Sequence, residues 1–207
     1  MAATQLDNLF KAVFEDNADE VRRLIESGTS ISANPQHGNT VLRMACQANA
    51  LRAMRLLLEH GIDPNERITY RSPVDGRVEE NYTSLMYASS AAMVDLLVSF
   101  GADVNAVSAT GLSALMRFAH FGIDDLVEAV LKHGTDMTLR QNVRDGKKAL
   151  TALEIGQEKL AFMEPLLKDS PKPEAKIALE RYRRTLALLS GATQTQLRAK
   201  KSTDGSN

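Results

Sequence analysis

Four histidines, one cysteine and pairs of adjacent acids such as Asp124–Asp125 and Glu79–Glu80 are the groups in this sequence that could do chemistry. His37, His60, His120 and His133 do not stand at the spacing that lets neighbouring side chains grip one metal ion. His60 and His133 each immediately precede a glycine, a place where the dipole of a helix C-terminus favours histidine. Cys46 follows an alanine in a helical phrase, and no His or Asp is placed to activate it. Its expected role is packing between helices. Asp124–Asp125 and Glu79–Glu80 are adjacent, so the two acids of each pair face different ways and solvation is expected of them rather than acid–base work. Neither a G-x-x-x-x-G-K nor a G-x-G-x-x-G loop is present. No catalytic, cofactor-binding or metal-ligating residue is assigned, no cofactor is expected, and the chain reads as non-enzymatic.

The elements that carry these residues belong to a globular chain. Of 207 residues, 43% are hydrophobic and 25% charged, enough to bury a core. No apolar run approaches the 18 residues of a membrane-spanning helix, and the N-terminus lacks the basic-then-apolar pattern of a secretory signal. A single cysteine cannot form an intramolecular disulfide, which points to a reducing, cytoplasmic setting. Net charge is −1, but residues 168–207 hold 9 Lys/Arg against 4 Asp/Glu, whereas residues 1–167 hold 16 against 22. An acidic body with a basic end suggests separate surfaces, or solvated faces.

Leucine-rich stretches end in glycine at Gly28, Gly61, Gly101 and Gly134, spaced by 33, 40 and 33 residues. Similar phrases begin at the last three: Gly61-Ile-Asp-Pro-Asn65, Gly101-Ala-Asp-Val-Asn105 and Gly134-Thr-Asp-Met-Thr138. Upstream lie Thr40-Val-Leu-Arg-Met-Ala45, Thr83-Ser-Leu-Met-Tyr-Ala88 and Ser113-Ala-Leu-Met-Arg-Phe118. Each unit reads as two short helices, the first capped by Thr, Ser or Asp, the second stopped by a left-handed glycine. At the N-terminus Asp7 takes the capping place. One unit cannot bury its apolar face alone, so units must stack.

These phrases resemble the ankyrin-repeat family, whose pattern G-x-T-P-L-H-x-A followed by G-A-D-V-N is matched by Gly38–Ala45 with Gly61–Asn65, by Thr83–Ala88 with Gly101–Asn105, and by Gly111–Phe118 with Gly134–Asp136. The resemblance spans residues 6–168 and implies an all-α solenoid. Five units are expected: a degenerate N-terminal capping repeat within 1–34, a complete repeat 35–65, a third 66–105, a fourth 106–138 with Gly122 at its inter-helix turn, and an eroded fifth 139–170 whose second helix is shortened by Pro165. Residues 171–190, with Ile177, Leu179, Tyr182, Leu186 and Leu189 along one stripe, read as a C-terminal capping helix. Residues 191–207 read as a disordered tail.

Three departures from the family pattern stand out. Its histidine is replaced by Phe10, Arg43, Met86, Met116 and Glu154, so its inter-turn hydrogen bonds are absent, and the methionines become adaptable filling. Asn65 to Thr83 is 18 residues, an insertion of about ten against the family spacing. Within it Ile68 and Tyr70, then Val78, Glu80 and Tyr82, alternate with other residues around Ser-Pro-Val-Asp-Gly, where Pro73 and Gly76 favour a turn. This predicts a β-hairpin finger over 66–82, with Tyr70, Arg71, Asp75, Arg77, Glu80 and Tyr82 as candidate partner contacts. Lastly, Ser89-Ser90-Ala91-Ala92 replaces the inter-helix turn of a shortened third unit, and Phe118 is expected to fill the space this leaves.

The resemblance further implies partner contact through finger tips and the ends of first helices. Carried onto this chain, that adds Phe14, Gln47, Ser90, His120 and Phe121, with Glu15, Ala48 and Ser89 as neighbours. The expected function is non-enzymatic binding of a dedicated protein partner through the concave groove and the long finger, with the free chain a monomer. Two alternatives stay open. One is an inhibitor or immunity protein that sequesters a toxin or enzyme, as compact bacterial members of the family do. The other is an adaptor held to nucleic acid or anionic membrane by Arg181, Arg183, Arg184, Arg198, Lys200 and Lys201, although the leading reading needs no nucleic acid.

Overall fold

The computed structural model describes residues 2–31, 40–72, 74, 76–142 and 149–204, with side chains from 5 to 199. His37, Pro73 and Asp75 lie outside the described residues. The chain divides into a unit of residues 1–109 and a unit of residues 110–207.

In the first unit, α1 (Ala2–Phe14) pairs with α2 (Ala18–Glu26), and α3 (Val41–Ala48) with α4 (Leu51–Glu59). A hairpin of β1 (Ile68–Arg71) and β2 (Val78–Tyr82) follows, then one 3-10 turn (Ser84–Tyr87) and α5 (Ala91–Ser99). Thr40 caps α3, its Oγ1 accepting from the Arg43 amide at 3.1 Å. Such a cap contributes about 1 kcal/mol. Leu42, Ala45 and Cys46 of α3 and Met54 and Leu57 of α4 are fully buried, because their spacing puts them on one helix face. Gly28, Gly61 and Gly101 end their helices at φ +85°, +85° and +89°, as the repeat pattern requires. Asn65 ties one turn phrase to the next: its Nδ2 donates to the Gly101 carbonyl at 2.9 Å and its Oδ1 accepts from the Asp103 amide at 2.8 Å.

In the second unit, α6 (Ala114–Phe121) and α7 (Asp124–Leu131) join through Gly122 at φ +63°. α8 (Ala152–Leu167) and α9 (Pro173–Asp204) complete it. Ser113 caps α6, and Thr151 caps α8 in a reciprocal box with Glu154. Leu115, Met116, Phe118, Leu126, Val127, Val130, Ile155 and Leu189 form its core.

Four expectations are corrected. α1 starts at Ala2, so Asp7 lies inside the helix and caps nothing. The first helix of the third repeat is a single 3-10 turn, because three missing residues leave no room for a full α-turn before α5. Thr83 makes no side-chain cap there, and among the described residues neither its buried Oγ1 nor the buried Oγ of Ser84 has a hydrogen-bond partner. The fifth repeat is one 16-residue helix that runs through Pro165. The carbonyl of Ala161, which loses its donor to that proline, lies on an exposed residue, where water can satisfy it. Finally, residues 191–204 continue α9 as helix rather than forming a disordered tail.

Candidate partner-binding surfaces

The finger is an antiparallel hairpin with Ile68 opposite Tyr82, Tyr70 opposite Glu79 and Arg71 opposite Val78. Two steps along β1 match three along β2, so β2 carries a bulge, and Asn81 sits there at φ +57°. The extra residue breaks the strict alternation. Tyr82 therefore turns inward beside the buried Ile68 and is only 9% exposed, instead of projecting. Its ring centroid lies 5.7 Å from that of Tyr87.

Tyr70 is half-buried as well. The guanidinium of Arg43 lies 3.5 Å from its ring centroid and 5.0 Å from that of Tyr87, within cation–π range. The Tyr87 hydroxyl donates to Glu79 Oε2 at 2.7 Å. Arg43, itself buried, thus joins α3 to the hairpin from the position where the family has histidine. Further bonds hold the hairpin's base: the Ala109 amide donates to the Glu80 carbonyl at 3.0 Å, and Arg67 Nη1 to the Val107 carbonyl at 2.8 Å. What remains exposed is the outer end, Arg71, Arg77, Val74 at 92% and Val78 at 39%, together with the Glu80 side chain nearer the base. Arg71 Nη1 donates to the Gly76 carbonyl at 3.3 Å. The two valines were not singled out from sequence. For Val74 the signal was an apolar residue inside a turn cluster, where the core makes no demand for one; Val78 reads in sequence only as part of the strand's alternation.

The helix-end candidates divide in the same way. Phe14 is 63% exposed, and Gln47 is exposed. Ser90 is engaged in structure: its Oγ accepts from the Met93 amide at 3.2 Å and donates to Asn49 Oδ1 at 2.6 Å. Neighbouring Ser89 donates to the Cys46 carbonyl at 2.5 Å. In the second unit Phe121 is 53% exposed, while His120 is half-buried. The Tyr182 hydroxyl donates to the His120 carbonyl at 3.3 Å. Burial first, then the charges of Lys159 and Arg117, hold the His120 imidazole below the usual histidine value. Phe121, Ile177 and Tyr182 line a shallow pocket of about 260 Å³ with Glu174 and Arg181 at its edge.

The basic face of α9 turns toward acids of its own unit. Arg181 Nε is 3.0 Å from Asp124 Oδ1 and its Nη2 is 3.1 Å from Asp125 Oδ1; Arg184 Nε is 3.2 Å from Asp124 Oδ2, and Arg183 Nη2 is 2.6 Å from Glu164 Oε1. Asp124 is buried. The adjacent acids Asp124 and Asp125 therefore meet arginines rather than solvent alone. Three of the cations in the nucleic-acid or membrane alternative are paired within the fold, Arg198 is exposed, and the side chains of Lys200 and Lys201 are outside the described residues.

Cys46 is buried, its Sγ donating to the Ser84 carbonyl at 3.2 Å, and burial pushes its thiol well above the usual range. Among the described residues no group of three His, Cys, Asp or Glu could hold a metal ion. No described helix is long and apolar enough to cross a membrane.

A family model described as ankyrin repeats in three copies matches residues 4–68, and a single ankyrin repeat matches residues 80–109. Similar proteins include NF-kappa-B inhibitor alpha of Gallus gallus, 32% identical over 130 residues, which are 62% of this chain and 41% of that protein. The B-cell lymphoma 3 protein homolog of Mus musculus is 34% identical over 126 residues, 58% of this chain and 26% of that protein. Neurogenic locus notch homolog protein 1 of Danio rerio is 30% identical over 128 residues, 60% of this chain and 5% of that protein. The chain thus spans less than half the length of these relatives.

Proposed function

We propose, from the premise that this chain is an ankyrin-repeat protein, that it is a non-enzymatic module for binding another protein, with the outer end of its finger as the principal contact. One observation carries this reading: the strands of the finger are packed through Arg43, Tyr70, Tyr82 and Tyr87 while Arg71, Arg77, Val74 and Val78 are exposed. A pre-ordered loop loses little conformational entropy on association. Arginine beside apolar side chains is the chemistry of binding hot spots. Phe14, Gln47 and Phe121 add exposed contacts at helix ends. Tyr70 and Tyr82 contribute by setting the finger's geometry, and Ser90 by tying the start of α5 to Asn49 at the end of α3.

Within this class the inhibitor role is favoured over a general adaptor. It draws support from the likeness to NF-kappa-B inhibitor alpha. Attachment to nucleic acid through α9 is disfavoured, since Arg181, Arg183 and Arg184 already neutralise Asp124, Asp125 and Glu164.

The test is affinity capture from native lysate with the wild type, a finger variant (Arg71→Glu, Arg77→Glu, Val74→Ser) and Phe121→Ala. Circular dichroism checks that each is folded. One protein captured at stoichiometry, and weakened at least tenfold by the finger variant (about 1.4 kcal/mol), is the expected result. Undiminished capture by the finger variant removes the finger from the interface.

A further inference from the structure

A second surface of the first unit has the chemistry of a binding site. The outer helices α2, α4 and α5 leave between them a groove of about 390 Å³. Its floor is apolar: Ala18, Leu51, Ala92 and Leu96 line it with Leu56. Leu56 and Leu96 are buried, but Leu51 and Ala18 are half-exposed and Ala92 is exposed. Small residues at 18 and 92 are what open the depression, since a larger side chain at either would fill it.

Arginines stand at its edge. Arg22 on α2 and Arg55 on α4 line the groove and are exposed. Neither has an ion pair among the described residues. Arg52, also in the lining, is drawn aside by Asp16: its Nε is 3.3 Å from Asp16 Oδ2, and its Nη2 donates to the Asp16 carbonyl at 2.8 Å. Glu59 is the one acid in the lining. Residues 1–109 as a whole hold 9 Lys/Arg against 14 Asp/Glu, so a cationic groove here runs against the charge of its unit.

We propose that this groove is a docking site for an acidic amphipathic segment of a protein partner, its apolar side chains seated on Ala18, Leu51 and Ala92 and its carboxylates paired with Arg22 and Arg55. Guanidinium groups suit that role because each can hold a carboxylate through two parallel hydrogen bonds. The surface is distinct from the finger, so it gives the chain two contacts, and a partner or pair of partners that engages both gains from effective concentration.

The probe is a labelled synthetic peptide of leucine and glutamate that folds as an amphipathic helix, titrated by fluorescence anisotropy onto the full chain. The expected result is saturable binding that weakens at least tenfold in Arg22→Glu/Arg55→Glu. Ala92→Glu, which places a repelling carboxylate in the groove and leaves both arginines intact, is expected to weaken it similarly. The finger variant binds as wild type does. Amide resonances of Ala18, Leu51 and Ala92 shift on titration. Four outcomes overturn the proposal: no binding of the acidic peptide, equal binding by the charge-reversed variant, resonance shifts confined to the finger or α9, or equal affinity for an oligonucleotide, which carries negative charge without the amphipathic face.

Discussion

The guanidinium carbon of Arg43 lies over the ring of Tyr70, 3.5 Å from its centroid, and a cation–π contact of this kind contributes more when it is shielded from water. His120 shows the opposite electrostatics. Burial and the cations Lys159 and Arg117 disfavour its charged form, and Tyr182 covers its backbone carbonyl. The sign of the resulting pH dependence follows from proton counting. Near the ordinary histidine value, about 6.5, an unfolded chain protonates this ring before the folded one does. His120 therefore adds no penalty above that pH, and stability falls as pH drops through it. Urea midpoints at neutral and mildly acid pH are expected to differ more for the wild type than for His120→Gln. Equal differences in the two proteins exclude His120 as the source of the acid sensitivity.

At the scale of elements, the end of α9 copies a feature of the repeats. In the first unit Asn65 bonds a carbonyl and an amide of the next turn phrase, at Gly101 and Asp103. In the second unit Gln196 Nε2 donates to the Thr135 carbonyl at 2.6 Å, and its Oε1 accepts from the Met137 amide at 3.2 Å. A helical glutamine thus gives the last turn the same pair of side-chain amide bonds that Asn65 gives the phrase at Gly101, one residue further along. Gln196→Ala leaves two backbone groups without their partners, a local loss of about 1–3 kcal/mol. Faster amide exchange is expected at Met137 and along residues 191–199, with Leu115 and Val127 unaffected; unchanged exchange at Met137 argues against the cap. The paired helices, their caps and the hairpin were legible in sequence because each rests on local rules: Thr40 and Ser113 at N-caps, glycine at C-caps, alternation around a turn. Three features were not. The length of α9 goes with Gln196 meeting Thr135 and Met137, 61 and 59 residues away in sequence. The inward turn of Tyr82 depends on a one-residue bulge at Asn81, which a strict period of two cannot anticipate. The persistence of α8 through Pro165 depends on the exposure of Ala161. Among the site candidates, sequence found Phe14, Gln47, Arg71, Arg77, Glu80 and Phe121 as exposed side chains, and it misread Tyr70 and Tyr82 because residue type was taken as a guide to exposure.

For the molecule as a whole, the charge distribution matters more than the net charge. Residues 1–109 carry −5 and residues 110–207 carry +4, although the chain sums to −1. Its sequence isoelectric point is near 6.4, close to neutral pH, so little uniform repulsion keeps copies apart. Opposite signs on the two stretches give copies a way to attract one another at low ionic strength. Internal pairing blunts this: the arginines of α9 are engaged by Asp124, Asp125 and Glu164. Arg198 stays exposed, and the acids of the first unit outnumber its cations. Screening reaches about 10 Å at 0.1 M salt and about 30 Å at 0.01 M, so the attraction is confined to dilute buffer. Light scattering at pH near 6.4 is expected to show reversible association in low salt that disappears at about 0.15 M. It is also expected to weaken on raising the pH, which makes the chain more negative and restores repulsion. Association that persists at high salt instead indicts apolar contacts, with Phe162 and Leu166 of α8, 62% and 61% exposed, the first pair to replace by serine.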